Sequence, residues 1–258
     1  MSAGPQRTPA LELAVQDVAG VRVAAALGLE RVELCSALAL GGLTPSLAVV
    51  EAAVAVAATA GGAVGVHVLV RPRAGDFRYD ADEVDVMVAD VRRAVAAGAD
   101  GVVVGALDDA GLPDPAVLDR LREAADGVQV TFHRAVDVSA DPVRALDLVA
   151  GSGVTRVLTS GGAPRAVDGA GCLLRMVEVA AGRVEVMAGA GVDAAAVPEL
   201  LATGVDALHF SAKRRVSARG IPLGQSEDGH DVTDQGLAAA VVAAVRGGGG
   251  VPPLRLGS

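Results

Sequence analysis

The chain has 258 residues, 52% of them apolar, and a formal net charge of −9. That balance disfavours nucleic acid and anionic membrane surfaces as partners, and it supplies ample material for one large core. The two cysteines, Cys35 and Cys172, are far apart and outside any CxxC spacing, which argues against a disulfide framework and for a reducing compartment. No apolar run reaches the roughly 18 residues of a membrane helix, and residues 1–9 lack the apolar core of a signal peptide, so a cytoplasmic location is expected.

Eight short apolar runs follow in order, at residues 11–15, 31–35, 64–70, 101–105, 128–133, 155–159, 184–188 and 206–210. Helical patterns fill the gaps. Thr44-Pro45, Asp114-Pro115 and Asp141-Pro142 each read as a helix start, with the polar residue as N-cap and the proline in the first turn. Gly28, Gly98, Gly153 and Gly204 lead an internal echo that falls on the second, fourth, sixth and eighth runs. Each glycine can end a helix in the left-handed conformation and deliver the chain into a strand.

Eight strand–helix units in this length predict an α/β fold, a (β/α)8 TIM barrel, as a single domain over residues 10–246. Residues 1–9 read as a flexible N-terminal segment and 247–258 as a flexible Gly/Pro-rich tail. A doubly wound open sheet is the rival, but even spacing favours the barrel. The run from Gly189 to Ala194 fits G-x-G-x-x-A; no acidic residue ends the next strand, where His209 and Phe210 stand, so a dinucleotide fold is set aside.

Strand side chains alternate between faces. The wholly apolar face should pack on helices. The mixed face sends Glu12, Glu33, Cys35, His67, Arg71 and His133 into the barrel, with His209 possible from the eighth strand. Buried charges must pair, so an ion-pair layer is one reading of Glu12 and Glu33. Barrel enzymes place their sites at strand C-terminal ends, and the unusual side chains gather there. All four aromatic residues, Phe77, Tyr79, Phe132 and Phe210, lie in or just after such strands.

The functional reading assigns His133 as the proton-transfer group or a metal ligand, oriented by Glu33 or Asp137, with His67 beside it. Arg71 and Arg134 would clamp a carboxylate or phosphate. Ser160, Gly161, Gly189, Gly191 and Ser211, in the loops after the last three strands, would offer backbone N–H groups to an anion. The segment from Gly75 to Tyr79 reads as a loop folded over the strand ends, with Asp76 paired to Arg73 or Arg78. Cys172 reads as a packing residue within a helix, and His230 as solvated in a tail segment. The outcome is a barrel enzyme (lyase, isomerase or hydrolase) or a binding protein for a small anionic molecule.

Several motifs also resemble a known family. They are Arg31-Val32-Glu33-Leu34-Cys35, Gly41-Gly42-Leu43-Thr44-Pro45-Ser46, the stretch from Arg71 to Tyr79, and Thr131-Phe132-His133-Arg134-Ala135-Val136-Asp137. Val157-Leu158-Thr159-Ser160-Gly161-Gly162 and Met187-Ala188-Gly189-Ala190-Gly191-Val192 complete the set. Together they resemble the CutC family, named for copper homeostasis, from about Leu11 to Ala212. The resemblance implies a cytoplasmic TIM barrel, a homo-oligomer (dimer or tetramer), and a role in copper homeostasis with Cu(I) as a bound ion. On that resemblance Cys35 is the metal ligand, and Ala14 stands where some relatives carry a second cysteine. The expected partner is therefore a small anionic molecule or a copper ion.

Overall fold

The computed structural model describes residues 8–217 and 229–247. The expectations for residues 1–7 and for the tail beyond Gly247 fall outside them. Eight parallel strands close into a barrel in chain order: β1 (Ala10–Val15), β2 (Arg31–Leu34), β3 (Gly65–Leu69), β4 (Gly101–Val104), β5 (Gln129–Phe132), β6 (Arg156–Thr159), β7 (Glu185–Gly189) and β8 (Ala207–Phe210). Helices α1 (Val18–Leu27), α2 (Leu47–Thr59), α3 (Ala81–Ala96), α4 (Pro115–Ala124), α5 (Pro142–Ala150), α6 (Ala170–Ala180) and α7 (Val197–Ala202) follow the first seven strands. After β8, two strands, β9 (Lys213–Val216) and β10 (His230–Thr233), pair as an antiparallel ribbon, and α8 (Gln235–Gly247) ends the described chain. The TIM-barrel expectation holds.

Helix starts follow the local chemistry with one exception. Asp114 and Asp141 cap α4 and α5 through their side chains, each with proline in the first turn. Thr44 does not cap α2, which begins at Leu47 behind Ser46. Its hydroxyl is already engaged with the backbone of Arg71, accepting from the N–H at 2.9 Å and lying 3.2 Å from the carbonyl oxygen. His230 is exposed, as expected, but it belongs to the β9–β10 ribbon and not to a tail.

The fourfold echo has a double purpose. Gly28, Gly98, Gly153 and Gly204 all have positive φ, between 63° and 91°. Two residues further on, a side chain turns back to the preceding strand. Glu30 accepts from the Leu11 N–H at 2.8 Å, Asp100 from Val66 at 2.8 Å, Thr155 from Val130 at 3.3 Å and Asp206 from Val186 at 2.9 Å. Each satisfies a backbone donor near the start of an odd-numbered strand, which burial would otherwise leave costly.

Strand alternation sorts the core. Outward residues such as Leu13, Val32, Val68 and Phe132 pack into the main cluster under the helices. Inward residues form smaller apolar layers, Cys35 with Leu69 and Val103, and Leu158 with Met187 and Ala207. Nearer the strand starts the interior is charged. Arg156, 1% exposed, donates to Glu185, Thr131 and Gln129. Arg31 donates to Glu12 at 3.1 Å.

Two inward glycines on and just after β4 make room for imidazoles. A Cβ on Gly101 would lie 2.6 Å from the His67 ring, and one on Gly105 would overlap the His133 ring. Overpacking of this kind costs about 1–3 kcal/mol. Gly105→Ala is therefore expected to destabilise the barrel by that amount in urea unfolding. The Gly105→Ala/His133→Ala pair should cost less than the sum of its two single changes; additive costs would show that the ring is not what the glycine accommodates.

Candidate active site at the barrel mouth

A cavity of about 250 Å³ opens at the C-terminal ends of the strands. Of the residues singled out in the sequence, Glu33, Arg71, His133, Arg134, Gly191 and Ser211 line it. Phe77, from the loop after β3, stands over it as that loop's position suggests, 4.8 Å from the His133 ring between centroids. Asp76 pairs with Arg73 at 3.1 Å.

Arg71 is buried, and its guanidinium reaches backbone oxygens: Leu40 and Gly42 at 3.0 Å and Gly75 at 2.9 Å. Its Nε has no partner, and no carboxylate pairs with it among the described residues. The charge is also 4.9 Å from the Phe77 ring centroid. Arg134 is half-exposed and donates to Asp137 at 2.8 Å and to the Ser160 hydroxyl at 3.1 Å.

His133 ends β5. Its Nδ1 accepts from the Ala135 N–H at 3.2 Å, so the neutral ring carries its proton on Nε2. That Nε2 is buried with no hydrogen-bond partner. Burial and the Arg71 charge push its pKa down to about 3. At neutral pH the His133 ring is thus neutral, with a hydrogen to donate from Nε2. His67 lies deeper, 1% exposed, outside the cavity lining, with Nδ1 unpartnered and its pKa pushed down to about 4 by burial.

Asp137 does not orient His133. Its carboxylate accepts from Arg134, the Thr159 hydroxyl and the N–H groups of Ser160 and Gly162. The Gly161 N–H goes to the Thr159 hydroxyl. The loop after β6 is therefore an anion nest already filled by the protein's own carboxylate, and Ser160 and Gly161 have no amide to offer a ligand. Gly189 has a packing reason instead: a Cβ there would meet Leu158 at 2.5 Å. Gly191, in the next loop, keeps a free N–H among the described residues.

The grouping hardest to read from the sequence lies between β1, β2 and β8. The sheet register places Glu12 beside His209. His209 Nδ1 is 2.9 Å from Glu12 Oε1 and 3.7 Å from Glu33 Oε2. Burial opposes ionisation of Glu12, but the His209 hydrogen bond and the charges of His209 and Arg31 outweigh it and hold the carboxyl well below the usual range. Burial, opposed by His209 and reinforced by the Glu12 charge, pushes Glu33 up to about 7. Burial lowers His209, yet Glu33 and Glu12 raise it further, for a net rise. Lys213, the first residue of β9 and part of the loop after β8, also stands on the rim.

A closed parallel barrel of eight strands, with a polar cavity and a carboxyl–imidazole cluster at its strand ends, defines the class: a TIM barrel. Residues 10–214 match the model of the CutC family, and the chain belongs to that family. It is 46% identical over 234 residues to a family protein CutC of Xylella fastidiosa, covering 89% of this chain and 84% of that one. It is 47% identical over 191 residues to a family protein CutC of Agrobacterium fabrum, covering 74% of each. A solved CutC structure from Streptococcus agalactiae, named for copper homeostasis, superposes with a TM-score of 0.73 at 31% identity, over 78% of this chain and 97% of that one. No described helix is long and apolar enough to cross a membrane.

The residues present do not fit Cu(I). Cu(I) favours soft thiolates. Cys35 is fully buried, its thiol directed to the Val15 carbonyl oxygen at 3.6 Å, and burial with the nearby Glu33 pushes that thiol far above its ordinary range. It joins no three-ligand group among the described residues. Cys172 packs on α6, against the main core.

The depressed imidazoles set an acid limit. His67 and His133 refuse protons down to about 4 and 3, whereas in the unfolded chain they take them up near 6.5. Their contribution is therefore fully present above about pH 6.5 and is lost as pH falls toward 4 and 3. Each group costs up to roughly 1.4 kcal/mol per pH unit across its window. Urea unfolding from pH 7.5 to 4.5 should show this slope in the wild type and a smaller one in His67→Gln and His133→Gln. Equal slopes in all three would count against neutral buried rings.

Proposed function

We propose that the barrel mouth takes a small anionic molecule and acts on it as an enzyme of the lyase, isomerase or hydrolase type. The observation that carries this reading is Arg71: a buried guanidinium at the cavity wall with no carboxylate partner among the described residues and an Nε that bonds to nothing. Three carbonyl oxygens and the Phe77 ring offset part of the cost of burying that charge, and an anion in the cavity would complete the compensation. Arg134 and Lys213, paired with Asp137 and Asp231 respectively, stand at the rim with N–H groups that can turn to a ligand, and the free Gly191 N–H adds a neutral donor. His133, neutral with its Nε2–H unpartnered, would donate to an oxygen of the bound molecule, as an electrophilic imidazole does at a carbonyl. Three carbonyl bonds hold the Arg71 fork in place before the ligand arrives, which limits the ordering cost on binding.

The names of the relatives carry a second reading, copper homeostasis, in which Cys35 would hold Cu(I). The lone buried thiol weighs against it, so the anion reading is preferred.

A thermal-shift panel of phosphate, sulfate, small phosphate esters and small carboxylates tests the proposal, with neutral sugars as controls. A true ligand at a hundredfold excess over Kd should raise Tm by roughly 5 °C or more. Arg71→Met should lose the shift and Arg134→Ala should reduce it. A shift that survives Arg71→Met, or an anion panel that does no better than the sugars, would defeat the reading. Cu(I) under reducing conditions, with and without Cys35→Ala, decides the second.

A further inference from the structure

The cluster at the cavity floor has chemistry that the anion reading does not use. Glu12, Glu33 and His209 each offer one ligand atom, and the three atoms lie within 4.8 Å of one another. They come from β1, β2 and β8, three adjacent strands of the closed barrel, so rigid ladders rather than loops hold them. Glu33 and His209 line the cavity, and Glu12 sits behind them with no exposure. The route to the cluster is thus the mouth itself.

Charge in this cluster is incompletely answered. Arg31 neutralises Glu12 at 3.1 Å. Nothing comparable serves Glu33. It is 6% exposed, and its buried Oε2 makes no hydrogen bond, its nearest cationic neighbour being His209 Nδ1 at 3.7 Å. An unpartnered carboxylate oxygen directed at a second carboxylate and an imidazole nitrogen is the arrangement a cation completes. Ligand atoms 2.0–2.2 Å from one ion sit about 3.0–3.5 Å apart. The observed 2.9 and 3.7 Å lie close to that range, and the Glu12–Glu33 pair, within 4.8 Å, would draw together on the ion.

We infer that Glu12, Glu33 and His209 form a site for one divalent first-row cation, such as Mn²⁺ or Zn²⁺. Two carboxylate oxygens and one imidazole suit such ions and not soft Cu(I). On binding, Glu12 Oε1 and His209 Nδ1 exchange their mutual hydrogen bond for bonds to the ion, and any proton on Nδ1 or on the Glu33 carboxyl leaves to solvent. Three protein ligands leave coordination positions open toward the cavity, where water or an anionic ligand can enter. The inference stands on the cluster alone and does not need the anion proposal.

The test uses the full chain, stripped by chelator dialysis and free of phosphate and sulfate, titrated with MnCl2 and with ZnCl2 by calorimetry. Electron paramagnetic resonance of free Mn²⁺ gives an independent count. One ion per chain is expected, with affinity reduced about tenfold or more in Glu33→Gln and His209→Gln. Cys35→Ser and His230→Gln should bind as the wild type does. If a variant fails to fold, the wild type still decides through a rise in Tm with Mn²⁺ that EDTA reverses. Absence of saturable binding to the wild type would overturn the inference. So would full affinity in folded Glu33→Gln and His209→Gln, or loss of binding in Cys35→Ser. None of these outcomes touches the anion panel, so the two proposals fail separately.

Discussion

Buried charge is the constraint on which this barrel is organised. A guanidinium or carboxylate drawn into the interior costs several kcal/mol unless a partner offsets it. Near the strand starts every such group is matched: Arg156 with Glu185, Thr131 and Gln129, and Arg31 with Glu12. Toward the strand ends matching is incomplete, although Asp137 is fully bonded. Arg71 faces the cavity without a counter-ion, Glu33 keeps an unpartnered oxygen, and His133 keeps an unpartnered nitrogen. The contrast along one axis separates a half whose polar groups are paired from a half where several polar atoms are not.

Much of this was legible in the sequence, because a period of two is a strong signal when one face is wholly apolar. The parity that sends Glu33, His67, Arg71 and His133 inward follows from Val32, Val66, Val68, Val70 and Phe132 facing out. The same parity covers Arg31 and Arg156, which escaped notice because they stand at strand starts, where an arginine reads as solvated. Side-chain partners were harder. Asp137 is three residues beyond Arg134 and four beyond His133, and only the coordinates show that it turns toward the loop after β6. The β9–β10 ribbon was hidden because short charged strands such as Lys213-Arg214-Arg215-Val216 carry no alternation of apolar residues. The ring proton of His133 could not be placed for a similar reason: its local backbone takes Nδ1, and that bond cannot be seen in a residue string.

The family name and the donor atoms point in different directions. A soft monovalent ion calls for sulfur, and the one thiol of the inner layers is enclosed by Leu69 and Val103. Oxygen and imidazole donors dominate the mouth instead. Membership of the CutC family is secure from 205 matched positions, residues 10–214. The donor atoms at the strand ends are harder than the name suggests.

The four caps at the opposite end bear on how such a chain can change. Glu30, Asp100, Thr155 and Asp206 each fasten one even-numbered strand to its odd-numbered neighbour through a single side-chain acceptor. The barrel is in this sense four stitched pairs, with the seams gathered on the side away from the cavity. Loops at the mouth can therefore be lengthened, shortened or rewritten without unpicking a seam, which gives this scaffold latitude to acquire new specificities while its foundation stays put.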